Sequence, residues 1–169
     1  MDQARVAEVL TPRLAIDAIQ DWIETGQPMR SQRTAVAWPG ADLLIMPAAA
    51  RDLAGVKLIT VAPANPSRGL PRIQGVYQLF DAVTMAPVAA LDAVAVTALR
   101  TAAVTAVAVD ALAPPGPARL VVFGTSVQAE SHTRCLAQVR PLESVVIAGR
   151  DASRAQALAA RLRAAGHPA

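Results

Sequence analysis

RLVVFGTSVQAESH, residues 119–132, changes its pattern at a glycine. Residues 119–123 form a short valine-rich run with the length of a buried parallel strand, and Gly124 stops it. Helix-like sequence follows. A strand, a glycine turn and a helix in that order aim the helix's first N–H groups at one spot. The positive end of the helix dipole makes that spot suit a pyrophosphate. The stretch therefore reads as the opening of a dinucleotide-binding unit. Its match to G-x-G-x-x-G/A is partial, because the three positions hold Gly124, Ser126 and Ala129. Ser126 puts a side chain where the backbone should come closest to phosphate.

Downstream, a helix over about 127–139, a strand over 144–148 and a helix over about 153–165 complete a β-α-β-α order, the grammar of a Rossmann half. Gly149-Arg150-Asp151 stands at the tip of the second strand. An acidic residue there would accept from the ribose hydroxyls of NAD, whereas an arginine holds the extra phosphate of NADP. Asp151 falls one place late for the first role, so NADP(H) is expected over NAD(H). Asp151 or Ser153 also suits the N-cap of the next helix. A doubly wound sheet uses about six parallel strands, and only two fit before Ala169. Two parallel strands covered on one side leave apolar surface exposed. Either the chain is the first part of something longer or another chain completes it.

Upstream, Pro114-Pro115-Gly116-Pro117 breaks the chain and predicts a boundary between domains 1–113 and 118–169. In the first of these, Thr11-Pro12 starts a helix that runs to about Thr25 and is closed by Gly26. Strand-like runs follow at 35–38, 43–46, 56–62, 76–81 and 88–91, interrupted by a proline-rich loop at 63–71. A helix over about 94–112 ends the unit. This is an α+β arrangement with a largely antiparallel sheet, joined to the start of a parallel one.

The composition narrows the function classes. At 53% hydrophobic and 17% charged the 169-residue chain is too apolar to be disordered. The isoelectric point is about 10.0, but the net charge is only +3 and aromatics are 3%. The basic residues are dispersed, so no basic stripe with stacking platforms marks a nucleic-acid partner. The apolar stretch 93–115 approaches membrane-spanning length, yet Arg100 and Asp110 would each cost about 3 kcal/mol at a bilayer centre. A buried helix of a soluble protein is the expectation, with no membrane partner. The start, MDQARVAEVL, carries charge and has no apolar core of a signal peptide. With a single cysteine, Cys135, a cytoplasmic location is expected.

Several residues stand out for their chemistry. Arg100 interrupts a helix built almost wholly from apolar residues and threonine, with Thr97 and Thr101 nearby. A guanidinium there calls for an anion. That anion is either an internal carboxylate, Asp92 or Asp110, or a substrate carboxylate or cofactor phosphate. Lys57 is the only lysine among 16 basic residues and lies in the apolar run GVKLITV, residues 55–61. On an edge strand it would face water; in a closed pocket it would pair with a carboxylate or take part in proton transfer. Arg30 and Arg33 precede a strand and would be unremarkable at a surface. His132 and Cys135 share one helix, three apart, and two such residues do not make a metal site.

Taken together, GVKLIT at 55–60, NPSRGLP at 65–71, LRTAA at 99–103 and GTSVQA at 124–129 resemble the ornithine cyclodeaminase/μ-crystallin family in order and spacing across nearly the whole chain. The resemblance implies an α/β protein with an N-terminal α+β substrate and dimerisation domain followed by a Rossmann domain. The chain corresponds to roughly the first half of a member, truncated within the second domain. It also implies an NAD(P)-dependent enzyme acting on amino acids or cyclic imino acids, and a homodimer. By resemblance, Arg33, Lys57 and Arg100 hold the substrate carboxylate. Arg33 is preferred to Arg30 because Arg33-Thr34 is similar to the family's Arg-Thr pair. Gly124, Ser126, Val127, Gln128 and Arg150 would contact the cofactor. The family's catalytic Asp would lie beyond Ala169. Two departures are Ser126, in place of a second glycine, and Arg72, where cyclodeaminases have a threonine near the cofactor. The expected reaction is reduction of a cyclic ketimine such as pyrroline-2-carboxylate. Ornithine cyclodeamination and alanine dehydrogenase-like chemistry are the alternatives, and a catalytically inert cofactor-binding or interaction protein is the alternative of another class.

Overall fold

The computed structural model describes residues 1–25, 32–50 and 52–169. The elements, in chain order, are α1 (Gln3–Val9), α2 (Pro12–Glu24), β1 (Thr34–Trp38), β2 (Ala41–Ala50), β3 (Leu53–Val61), β4 (Ile73–Asp81), β5 (Pro87–Asp92), α3 (Ala93–Leu112), β6 (Ala118–Phe123), α4 (Val127–Leu136), β7 (Leu142–Ala148) and α5 (Ala152–Ala164). They form a five-stranded antiparallel sheet in the order β1-β2-β3-β4-β5 and a separate parallel pair, β6-β7. This is a mixed α/β architecture in which an antiparallel sheet precedes the start of a parallel one.

Two compact units result. One comprises Met1–Val9 with Gly26–Thr97, the other Leu10–Thr25 with Ala98–Ala169. These units divide within α3, and α2 belongs with the second. Packing is the reason: Ile16 of α2 is buried in one cluster with Ala102, Ala103 and Ala106 of α3 and Cys135 and Leu136 of α4. The alanines let three helices approach closely, and this contact outweighs sequence proximity to the sheet. Burial at this cluster pushes the Cys135 thiol up to about 11, which leaves it a protonated packing group at neutral pH. A second cluster, Ala129, Val145, Leu158 and Leu162, joins α4 and α5 to the parallel pair. α3 passes the length and hydropathy test for a membrane span, but its Ala98, Ala102, Ala103 and Ala106 are buried within the protein.

Two local features differ from expectation. The first residues form α1, where the Asp2 side chain accepts from Arg5 N–H at 2.9 Å and Val6 is buried. Its charged, short sequence gives little helical signal, and its contact with β5 supplies the rest. Within the proline-rich segment, Asn65–Arg68 make a 3-10 turn closed by Gly69 at φ +71°. Asn65 Nδ2 then donates to Pro71 O at 3.0 Å and fixes the return of the chain.

The sheet's two faces follow from register. Met46, Lys57, Tyr77 and Leu91 align in one row across β2, β3, β4 and β5. The opposite face exposes Val36, Trp38 and Val76. Gly75 lies opposite Ile59 on the Lys57 face, where a Cβ would stand 2.2 Å from Leu58 O and 2.8 Å from Ile59 Cδ1. Backbone cannot yield as a side chain does. Gly75→Ala should therefore destabilise the first unit by about 1–3 kcal/mol, read as a lower denaturant midpoint.

The parallel pair leaves Val121, Phe123 and Val146 exposed, at 51%, 86% and 53%. The expected uncovered apolar surface is therefore present on the second unit.

Candidate functional site

Lys57 sits on β3, the central strand of the five, and not on an edge. Both neighbouring strands pair with it, so the side chain cannot simply lean out past an open edge. Its row neighbours are Met46 and Tyr77, and its Nζ donates to Thr97 Oγ1 at 3.4 Å. Gly55, two residues earlier on the same face, has the Tyr77 ring 3.0 Å from where its Cβ would be, so this glycine makes room for the ring. An ammonium bonded to a threonine hydroxyl, on a row whose cross-strand partners are a methionine and a tyrosine, suits a ligand with one anionic end and an uncharged body.

Arg33 lies in the coil just before β1 and is exposed. Arg30, the other candidate, lies outside the described residues. Arg100 is exposed on α3, which corrects the expectation of a guanidinium enclosed by apolar neighbours. Neither proposed internal partner reaches it among the described residues. Asp92 Oδ1 instead accepts from Ala95 N–H at 2.7 Å and starts α3, and Asp110 is exposed. Arg100 therefore has its fork available, one helical turn after Thr97.

A hollow of about 430 Å³ opens over β2 and β3, lined by Pro47, Ala49, Ala54, Val56, Phe80 and Met85 among others. Most of these alternate onto the face opposite Lys57, and the lining carries no cation among the described residues. It does not suit a carboxylate.

On the second unit, Gly124 adopts φ +118°, a conformation that side chains strongly disfavour, and a Cβ there would meet nothing within 4 Å. The turn is thus bare at the point where a phosphate would approach. Gly124 N–H donates to Ala148 O at 2.8 Å and locks the end of β6 to the end of β7. Ser126 is the N-cap of α4 at φ −82°, and its side chain makes no capping bond. A glycine is therefore not needed at 126 for backbone conformation. Val127 is half exposed at the first helical position. One residue on, Gln128 Oε1 is buried and has no hydrogen-bond partner. A buried acceptor left unpaired is costly, and a donor from a bound group would satisfy it. An exposed glycine turn, a helix N-terminus and an orphaned acceptor fit a dinucleotide.

At the tip of β7, Gly149 packs tightly against this turn: its Cβ would lie 2.8 Å from Thr125 Cγ2. Arg150 is exposed. Asp151 is the N-cap of α5, accepting from Ser153 Oγ at 2.7 Å and Arg154 N–H at 3.1 Å. Those bonds, from Ser153 first, hold its carboxyl below the usual carboxylate range. Of its two expected roles the capping one is met, through Oδ1.

His132 and Cys135 act apart. His132 Nδ1 lies 2.7 Å from Gln128 O and its Nε2 lies 3.2 Å from Thr105 Oγ1, whereas Cys135 is fully buried. Arg140 is a residue that sequence alone does not single out. It is 9% exposed and donates from Nη2 to Val109 O at 3.1 Å and Ala113 O at 2.9 Å, and from Nη1 to Pro114 O and Gly116 O. Val109 lies in the last turn of α3, where its carbonyl also accepts from Ala113 N–H at 3.0 Å, and Ala113, Pro114 and Gly116 follow the helix, where carbonyls lack helical partners. The signal for this was faint: an arginine just before a proline and a strand, some 27 residues from the groups it caps.

The profile of the ornithine cyclodeaminase/mu-crystallin family matches residues 5–168. A Delta(1)-pyrroline-2-carboxylate/Delta(1)-piperideine-2-carboxylate reductase of Azospirillum brasilense is 42% identical over 125 residues, which is 74% of this chain and 40% of that protein. The Delta(1)-pyrroline-2-carboxylate reductase of Thermococcus litoralis, solved with NADH and L-proline, superposes with a TM-score of 0.87 at 23% identity, over 99% of this chain and 54% of that one. An archaeal alanine dehydrogenase dimer with bound NAD superposes with a TM-score of 0.88 at 25% identity, over 99% and 53%. The chain thus spans about half the length, or less, of these proteins.

Proposed function

The chain belongs to the ornithine cyclodeaminase/mu-crystallin family, and from that premise we propose that the enzyme carrying it is an NAD(P)-dependent reductase of cyclic ketimines such as pyrroline-2-carboxylate. The observation that carries this reading is the setting of Lys57. A cation on the central strand, beside Met46 and Tyr77, matches a carboxylate attached to an apolar ring. Ornithine brings a second ammonium, and this row offers no carboxylate to receive it. Similarity to the Azospirillum brasilense reductase supports the same choice.

In the proposed reaction Arg33, Lys57 and Arg100 hold the substrate carboxylate. Arginine supplies a planar fork and lysine a point charge, so the carboxylate's direction as well as its position is fixed. Fixing it sets the angle at which the C=N carbon is presented, and orientation of this kind supplies much of the rate. When bound, the reduced nicotinamide supplies the hydride. Gly124, Ser126, Val127 and Gln128 would hold its pyrophosphate end, with Arg150 at the adenosine ribose.

The NADP(H) preference rests on Asp151, which is committed to capping α5, and on Arg150 being exposed beside it. Arg150→Ala should raise KM for NADPH by about tenfold and leave KM for NADH nearly unchanged, as a lost phosphate contact requires. Equal effects on both cofactors would remove the preference. The proposal includes a homodimer, with the face bearing Val36, Trp38 and Val76 available for a second copy.

L-Ornithine supplied with NAD separates the reductase from the cyclodeaminase. The reductase yields no proline from it; proline and ammonia formed without net cofactor reduction would overturn the choice of substrate.

A further inference from the structure

α3 and α4 meet within the second unit through Ala102, Ala103, Ala106, Cys135 and Leu136, a smooth contact of mostly small side chains. Such a surface holds two helices together but does little to fix how far one slides or turns along the other. Arg140, just past α4, ties down the far end of α3, and nearer the Arg100 turn stands a second directional link. His132 Nδ1 lies 2.7 Å from Gln128 O. A carbonyl only accepts, so Nδ1 carries the proton. In the neutral ring Nε2 is then the acceptor for the Thr105 hydroxyl at 3.2 Å. Thr105 Oγ1 also lies 3.3 Å from Thr101 O, a second acceptor within reach of the same single hydroxyl proton on the preceding turn of its own helix.

The ends of this link matter. Thr105 is little more than one turn beyond Arg100 on α3. Gln128 is in the first turn of α4, directly after the Gly124 turn. We propose that the Thr105–His132 hydrogen bond is a positioning contact that sets the Arg100 turn of α3 against the dinucleotide turn that opens α4. The role rests on the proposed function, in which Arg100 holds substrate and the Gly124 turn holds cofactor. Neither residue touches a reactant. Losing the bond lets the two turns shift by a fraction of an ångström, and alignment for hydride transfer suffers while each binding step survives.

Thr105→Val removes the hydroxyl and keeps the volume. In the complete enzyme, kcat for pyrroline-2-carboxylate should fall by about tenfold or more, with KM for NADPH and the melting temperature close to wild type. Thr105→Ser, which restores the hydroxyl, should recover most of the rate. His132→Leu should lower kcat similarly, and the double variant should be no slower than His132→Leu alone, because both remove the same bond. Wild-type kcat in Thr105→Val would overturn the positioning role. So would a loss of activity matched by loss of folded protein. A wild-type enzyme that reduces no cyclic imine would overturn the proposed function and this role with it, so the two failures are distinct.

Discussion

Arg100→Met in the complete enzyme should lower kcat/KM for a cyclic imino acid by roughly a hundredfold and leave the melting temperature unchanged. The asymmetry follows from where the side chain lies. Arg100 is exposed, and among the described residues neither Asp92 nor Asp110 pairs with it. Its removal therefore breaks no internal ion pair and leaves no buried charge behind. Methionine keeps much of the length and the helix propensity of arginine. What is lost is a forked, charge-assisted contact to a carboxylate, worth about 1.5–3 kcal/mol. Steady-state kinetics and a thermal melt on the same preparation check this. A large drop in melting temperature with unchanged kcat/KM would make Arg100 a structural residue.

Arg140→Leu should do the opposite, with a loss of about 3–5 kcal/mol in stability of the second unit. The guanidinium is 9% exposed and donates to carbonyls of Val109, Ala113, Pro114 and Gly116. Leucine fills part of the volume and removes the donor from the Ala113, Pro114 and Gly116 carbonyls after α3, while Val109 O keeps only its bond from Ala113 N–H. The positive charge of Arg140 also stands at the negative end of the α3 dipole, and leucine removes that attraction as well. Arg140→Lys should rescue only partly, because one ammonium lacks the fork that spans acceptors on both sides of the turn. Denaturant unfolding measures both variants. Wild-type stability in Arg140→Leu would show that water serves those carbonyls equally well.

Much of this organisation is legible in the sequence. The change of period at Gly124 locates β6, the turn and α4 because a strand and a helix space their apolar residues differently. Lys57 is conspicuous because an apolar strand rarely carries a lone lysine. Its central position is not legible, since the pairing of β3 with β4 depends on a return from the loop fixed by Asn65 and Gly69. The exposure of Arg100 is hidden for another reason: α3 is apolar nearly all round, so no stripe tells which side faces the protein. The division of the chain within α3 is set by Ile16 packing on distant alanines, a contact that proline and glycine punctuation cannot foretell. Arg140 shows the same limit at the scale of one residue. Its partners are backbone carbonyls, which every sequence has.

In the proposed function, the residues at Lys57, Arg100 and the Gly124 turn serve reduction of a cyclic imino acid by a nicotinamide cofactor. The most direct test supplies the complete enzyme with pyrroline-2-carboxylate and NADPH and follows cofactor oxidation together with proline. Imine-dependent oxidation is expected, with one proline formed for each NADPH consumed. Absence of imine-dependent oxidation with either NADPH or NADH would contradict that function.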